Sequence, residues 1–224
     1  MQLSDGSDAL VQRRNFLDSL ADEYLHNYGP GRSILAVDGL GGSGSGEFAD
    51  LLAARMSRAN HSVWRASVES FHRPRELRYR LGRDSAQGYY LDSFDYDVLH
   101  RALVEPFRLG GSAGFVLSAF DVRRDIPVEM AWSTAPRDAT LIIDGTFLLR
   151  PGLRGLWSSS IWVDVDPSVA RARQQAAYGI PTRAPRYSGG ELLYLAETDP
   201  RAHATVIVDN SDSQHPFRVF ADSC

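Results

Sequence analysis

Gly41 and Gly46 stand at the spacing of the two glycines in the phosphate-loop template G-x-x-x-x-G-K-[ST]. The backbone N–H groups of such a loop, with the helix start that follows it, form an anion nest. The next two template positions bring a lysine to the outer phosphates and a hydroxyl to magnesium. Here they are Glu47 and Phe48. A carboxylate ~4 Å from a phosphate charge costs on the order of 4 kcal/mol at an effective dielectric near 20, and the lysine's comparable attraction is lost as well. Phe48 cannot ligate a metal. ATP and magnesium binding are therefore expected to be lost or weak, and no metal or other cofactor is implied. Two placements of Glu47 stay open: facing the nest, or turned to solvent as a first-turn acid favoured by the helix dipole. Phe48 has a second reading too, as core packed beneath the loop.

Carboxylates also end two other apolar runs, Glu69 at the close of Ser62–Glu69 and Asp144 within Thr140–Gly145. On neighbouring strands of a parallel sheet, both side chains reach the cleft at the strands' carboxyl ends. Like charges at short range push one pKa up, and nearby arginines push the other down. That predicts a general acid and a general base that need neither ATP nor metal. The competing reading has Asp144 bonded to loop backbone and Glu69 paired with Arg73 or Arg75. The segment after Glu69 carries His72, Arg73, Arg75, Arg78, Arg80 and Arg83, interleaved with Phe71, Pro74, Leu77 and Tyr79. That interleaving predicts a docked loop. His72 and Arg73 are candidates for stabilising developing negative charge. Arg75, Tyr79, Asp92, Asp95 and Asp121 are candidate ligand contacts. Helix capping by Asp92 or Ser93 accounts for at least one of the three aspartates in Asp92–Asp97.

Strands and helices alternate along the chain. Helical spacing of apolar residues over 8–28 predicts an amphipathic helix stopped at Gly29-Pro-Gly31. Ile34–Val37 reads as the first strand, and a helix from Gly46 to about Ala59 follows the glycine loop. Further strands are expected at 62–69, 140–145, 160–166 and 205–209, with a strand or hairpin arm at 115–121. Helices are expected from Asp92 to about Glu105, from Pro167 to Tyr178 and from Ser188 to about Glu197. Several strands are apolar on both faces, which means a parallel sheet covered on both sides. The expected fold is α/β: a five-stranded parallel sheet of the P-loop NTPase type, with helices on both faces. The chain reads as one domain over 1–224, with an N-terminal helix within 1–30 and a small lid at 179–190.

A net charge of −4 without a basic run argues against nucleic acid as a partner. No apolar stretch approaches a membrane span. The start lacks a signal-peptide pattern, and the single cysteine, Cys224, allows no internal disulfide; both fit a cytoplasmic protein. The expected partner is a small-molecule ligand, and assembly into a homo-oligomer stays open.

Four stretches carry a family resemblance: Val37-Asp-Gly before the loop; Glu69-Ser-Phe-His-Arg-Pro-Arg with Tyr79-Arg and Gly82-Arg-Asp-Ser; Leu91-Asp-Ser-Phe-Asp-Tyr-Asp97; and Ile142-Ile-Asp-Gly-Thr-Phe-Leu148 with Val206-Ile-Val-Asp-Asn210. In this order they resemble the uridine kinase and phosphoribulokinase-like group of P-loop kinases, most of all its actinobacterial uridine kinase-like proteins. The resemblance implies that Glu69 occupies the position of the base that takes the acceptor's proton. It implies that Asp144 keeps the magnesium-holding acid and that Asp92 or Asp95 binds the acceptor. The arginines that clasp phosphates would correspond to Arg183 and Arg186 on the lid, with Arg171 or Arg173 on the helix before it. Glu47, Phe48 and, more mildly, Glu69 depart from the family at the phosphoryl-transfer centre.

Three functions follow. The first is a repurposed kinase fold that binds a small molecule and catalyses ATP-independent chemistry of the cyclase, dehydratase or isomerase type in a biosynthetic pathway. The second is a uridine or cytidine kinase with an atypical loop. The third is a non-catalytic pseudokinase with a binding or regulatory role.

Overall fold

A computed structural model describes residues 4–178 and 185–220. Helix α1 (Ser4–Tyr28) leads into β1 (Arg32–Asp38), the glycine loop and α2 (Ser45–Arg58). Then come β2 (Ser62–Ser67), a 3-10 turn at Val68–Phe71 and the short helices α3 (Arg75–Arg78), α4 (Ala86–Asp92) and α5 (Tyr96–Leu99). A π-turn at His100–Val104 continues into α6 (Glu105–Leu109). Four two-residue strands, β3 (Phe115–Val116), β4 (Phe120–Asp121), β5 (Ile126–Pro127) and β6 (Trp132–Ser133), form two small ribbons outside the main sheet. The chain continues through β7 (Ala139–Gly145), β8 (Ser159–Asp164), α7 (Pro167–Tyr178), α8 (Pro185–Thr198), α9 (Pro200–His203), β9 (Val206–Asp209) and β10 (Phe217–Val219).

The main sheet has the order β10-β9-β8-β1-β7-β2. Its first five members in chain order, β1, β2, β7, β8 and β9, are parallel, with β1 at their centre. The five-strand expectation needs correcting by one: β10 adds an antiparallel sixth strand on the β9 edge. It is three residues long and partly exposed, so it carries no apolar run to announce it. Other boundaries shift as well. The expected arm at 115–121 is split between the two ribbons. The helix expected from Asp92 instead ends there as α4, and a new one starts after Asp95, whose Oδ1 accepts the Val98 N–H at 3.0 Å. Of the expected lid, Pro185–Gly190 are the first turns of α8, while 179–184 lie outside the described residues, as does Cys224.

Strand alternation divides the core. On one face Leu35 and Val37 pack with Leu17, Leu20 and Tyr24 of α1 and with Phe48, Leu52 and Met56 of α2. On the other, Ile34, Ala36, Leu141 and Ile143 meet Leu103, Phe107, Phe147 and Tyr194. Among the described residues no helix is long and apolar enough to cross a membrane.

At the carboxyl end of β1, Asp38 is fully buried. Its Oδ2 accepts the Leu149 N–H at 2.9 Å and the Tyr194 hydroxyl, while Oδ1 finds no partner among the described residues. Burial pushes its pKa up from 3.8 to about 7, opposed by those hydrogen bonds. The folded value lies above the unfolded one. The stability this group contributes is therefore full below about pH 4 and is lost as pH rises through 7. Asp38→Asn should remove that part of the slope. Urea unfolding at pH 5 and pH 8 checks it: the wild type should lose more stability than the variant over that interval, and equal losses would show that Asp38 does not titrate there.

Candidate functional site

The glycine loop lies between β1 and α2, roofed by two helices. Gly42 and Gly44 have φ of 86° and 82°, the left-handed region that glycine tolerates best. Gly42 also lies so close to α7 that a Cβ there would meet the Ala170 carbonyl oxygen at 2.6 Å. From α7, Arg173 donates to the carbonyls of Gly42, Ser43, Asn210 and Ser211, and Gln174 to that of Gly41. Asn210 Nδ2 donates to Ser43 O at 2.7 Å. From α8, the mostly buried Glu191 accepts the Gly41 N–H at 2.8 Å. A protein carboxylate thus already sits against the loop's first N–H.

Glu47 points away from the loop. Its side chain is 66% exposed and meets Arg13 of α1 at 2.7 Å. The placement of negative charge in the nest is therefore corrected: the first-turn acid is held by α1, and what the loop lacks is the lysine. Phe48 is 3% exposed and belongs to the core shared by α1 and α2.

Asp144 lies at the end of β7, opposite Ser67 of β2 and Val37 of β1. A Cβ on Gly46 would come within 3.3 Å of its Oδ2, so it borders the loop directly. Arg65 Nη2 donates to Asp144 Oδ1 at 2.7 Å, and the Ser67 hydroxyl to Oδ2 at 3.3 Å. Arg65 is fixed in turn by Asp50 and by the carbonyls of Ala66 and Ile142.

The expected pairing of Glu69 with Asp144 is replaced by another. Strand β2 ends at Ser67, so Glu69 falls in the 3-10 turn and its side chain reaches His72 instead. His72 Nε2 lies 3.5 Å from Glu69 Oε2, and Nδ1 donates to the Glu69 carbonyl at 2.7 Å. Phe94 backs the imidazole at a centroid distance of 4.7 Å. Burial, reinforced by the nearby Arg78 charge, lowers the His72 pKa and favours the neutral ring, although the Glu69 carbonyl opposes this. His72 is thus better suited to exchange a proton than to act as the fixed cation expected of it. The Ser67 hydroxyl joins the two halves of the site, accepting the Glu69 N–H at 3.3 Å while donating to Asp144.

The arginine-rich segment is docked, as its interleaved apolar residues predict. The Arg73 N–H donates to Ser93 O, and the Asp95 N–H to Phe71 O. Buried Asp92 receives Arg80 through two bonds at 3.0 and 2.7 Å, with Arg73 3.9 Å away. The Arg75 N–H is anchored by Asp125. Asp95 caps α5, and Asp121 accepts the N–H groups of Arg123 and Arg124, so both of these expected ligand contacts have local structural roles.

Arg186 departs furthest from its expected part. It is 4% exposed, donates to the carbonyls of Arg78, Arg83 and Ser85, and stacks on Tyr79 and Tyr89. It ties α8 to the arginine segment and is not placed to clasp phosphate, and Tyr79 serves as its platform. Arg171 lies exposed on α7. Arg183 lies outside the described residues.

No protein-family model matches the chain, and neither does any curated protein. Solved structures do. A protein described as a possible uridine kinase from Bacillus stearothermophilus superposes with a TM-score of 0.70 at 23% identity, covering 87% of this chain and 97% of that one. D-glycerate 3-kinase from Cryptococcus neoformans gives 0.60 at 10% identity, covering 96% and 99%. The chain has the P-loop kinase fold.

Magnesium in a P-loop kinase needs a hydroxyl after the loop lysine and a free carboxylate nearby. In this P-loop kinase fold the first position is core phenylalanine, and the second, Asp144, is already paired with the Arg65 cation and accepts from Ser67. Among the described residues no three His, Cys, Asp or Glu side chains converge as a metal site. The residues present do not fit the metal. Arg65, Ser67 and Glu191 were missed in the sequence. Arg65 left one signal, a charge inside a strand next to one that ends in a carboxylate.

Proposed function

We propose that the chain binds a small molecule in a cleft at the carboxyl ends of its parallel strands, beside Glu69, His72 and Arg73, and transforms it by ATP-independent acid–base chemistry. The observation that carries this reading is the Arg65–Asp144 bond at 2.7 Å, which commits the kinase fold's metal acid to an internal cation. The loop's missing lysine and hydroxyl point the same way. The acid–base pair is Glu69 with His72. The Nδ1 proton is committed to the Glu69 carbonyl, so Nε2 is the ring atom free to gain or lose a proton, with the Glu69 carboxylate beside it. Arg73, 29% exposed and loosely held, can face an anionic group or developing negative charge. Asp92 is a weaker candidate for reading hydroxyl groups, because Arg80 already binds both its oxygens.

The test begins with a screen for thermal stabilisation by nucleosides, sugars and sugar acids without nucleotide triphosphate. Turnover of any stabilising compound is then compared in the wild type, Glu69→Gln and His72→Gln. Each substitution should lower the rate by roughly 10²–10⁴ while leaving the stabilisation in place. The depressed His72 pKa should place the acid limb of the wild-type profile below the histidine's ordinary 6.5. ADP released from ATP on addition of any of these compounds would overturn the proposal in favour of a kinase.

A further inference from the structure

Three arginines remote from the cleft gather around one cavity. It is an open cavity of about 500 Å³ lined by Arg32, Arg108, Arg137, Leu109, Gly110 and Gly111 together with Ala135, so no carboxylate lines it. Arg32 opens β1 beside Ala139, the first residue of β7, which puts the cavity at the amino ends of the central strands. The phosphate loop leaves the other end of β1, roughly 20 Å away at a strand's rise per residue.

Two of the three guanidinium groups are held in position. Arg32 Nε donates to Pro136 O at 3.2 Å, Nη1 to Phe107 O at 2.8 Å and Nη2 to Ala135 O, and the group lies over the Phe107 ring. Arg108 Nη2 donates to the carbonyls of Gly155 and Leu156. All these acceptors are neutral, so the charges are oriented without being cancelled. Arg137 is exposed beside them. The acid next to it in sequence, Asp138, accepts the Gly31 N–H at 2.7 Å. Gly110 and Gly111 have φ of 73° and 59° and give the cavity a stretch of bare backbone. Clasping of carbonyls explains Arg32 and Arg108 as structural residues. It does not explain why a third arginine joins them with no carboxylate in the lining, in a chain whose net charge is −4.

We propose that this cavity is an anion site, separate from the cleft, that takes a compact polyanion of the pyrophosphate class. A guanidinium presents paired N–H donors that match phosphate oxygens. The volume lies in the range of small-ligand sites. The pyrophosphate group could be free or carried by a nucleotide.

Calorimetric titration of the full chain at low ionic strength, with inorganic pyrophosphate and with ADP, tests the site. Saturable binding that weakens as salt is added is expected. Arg137→Ala should weaken it at least about tenfold, the factor that a lost charged hydrogen bond of roughly 1.4 kcal/mol gives. Arg108→Ala with Arg137→Ala should abolish it. Tighter binding of ADP than of pyrophosphate supports a nucleotide source, and the reverse supports a free anion. Glu69→Gln should bind pyrophosphate as the wild type does, which separates this site from the proposed acid–base cleft. Absence of saturable binding to the wild type would overturn the proposal. So would unchanged binding by Arg137→Ala and the double variant, since the anion would then lie at the phosphate loop. Should the double variant fail to fold, Arg137→Ala alone decides, because that exposed side chain lies outside every helix and strand.

Discussion

Phe48→Thr is expected to lower the stability of the fold by about 3–5 kcal/mol, the range for truncating a buried aromatic. Phe48 is 3% exposed among Leu17, Leu20, Leu52 and Met56, where α2 meets α1. Threonine would leave a cavity and bring a hydroxyl into an apolar core, which adds its own cost. This matters for any attempt to rebuild the phosphate-loop template. The double change Glu47→Lys, Phe48→Thr supplies the missing cation and hydroxyl, and some nucleotide affinity should return where the loop backbone survives. The same change removes a core side chain and breaks the Arg13–Glu47 pair at 2.7 Å. Glu47→Lys alone should be far milder, because Glu47 is 66% exposed and surface ion pairs contribute about 0–1 kcal/mol. Urea unfolding of both single variants checks the contrast. A loss below about 1 kcal/mol for Phe48→Thr, well under the usual cost of such truncation, would mean that this end of α2 is not packed as described.

Arg65→Met is expected to lower stability by roughly 3 kcal/mol, the lower end for removing one partner of a largely buried ion pair. Arg65 and Asp144 are 24% and 13% exposed, and the substitution leaves Asp50 and Asp144 without their shared cation. Two carboxylates released beside the loop are what a divalent cation seeks. Millimolar manganese should therefore raise the melting temperature of the variant, since a ligand that binds only the folded state stabilises it, and should leave the wild type unmoved. Equal responses of the two proteins would show that Arg65 does not control access to Asp144.

The sheet was readable because its strands are apolar on both faces and its glycine loop falls where a strand turns into a helix. Ile34–Val37, Thr140–Asp144 and Val206–Asp209 all sit where their runs predict. Phe217–Val219 was not readable, because a three-residue edge strand needs only backbone pairing with β9 and buries little of its own. In the site, residue type pointed to Glu69, His72 and Asp144 but not to their partners. Two residues decided the geometry. Ending β2 at Ser67 turned Glu69 toward His72, and Arg65 reached across from β2 to Asp144. The first depends on where the strand stops, which apolar runs fix only to within a residue or two, and the second is a long-range choice between neighbouring strands that local pattern does not encode. Arg186 shows the same limit. An arginine after a proline-rich stretch reads as a mobile lid cation, yet three backbone carbonyls and two tyrosine rings bury it.

Magnesium-ATP is expected to bind this chain weakly at best, because Glu47 and Phe48 stand where the phosphate-loop template has its lysine and hydroxyl. Calorimetric titration of the wild type with magnesium-ATP, alongside Arg108→Ala with Arg137→Ala to separate any anion held at the far end of the sheet, tests it most directly. The double variant should bind no tighter than about millimolar, because the template lysine and hydroxyl are replaced and Asp144 is paired with Arg65, and each such charge contact is worth on the order of a few kcal/mol. Micromolar magnesium-ATP binding by that variant, weakened when magnesium is withheld, would contradict the account and restore the kinase.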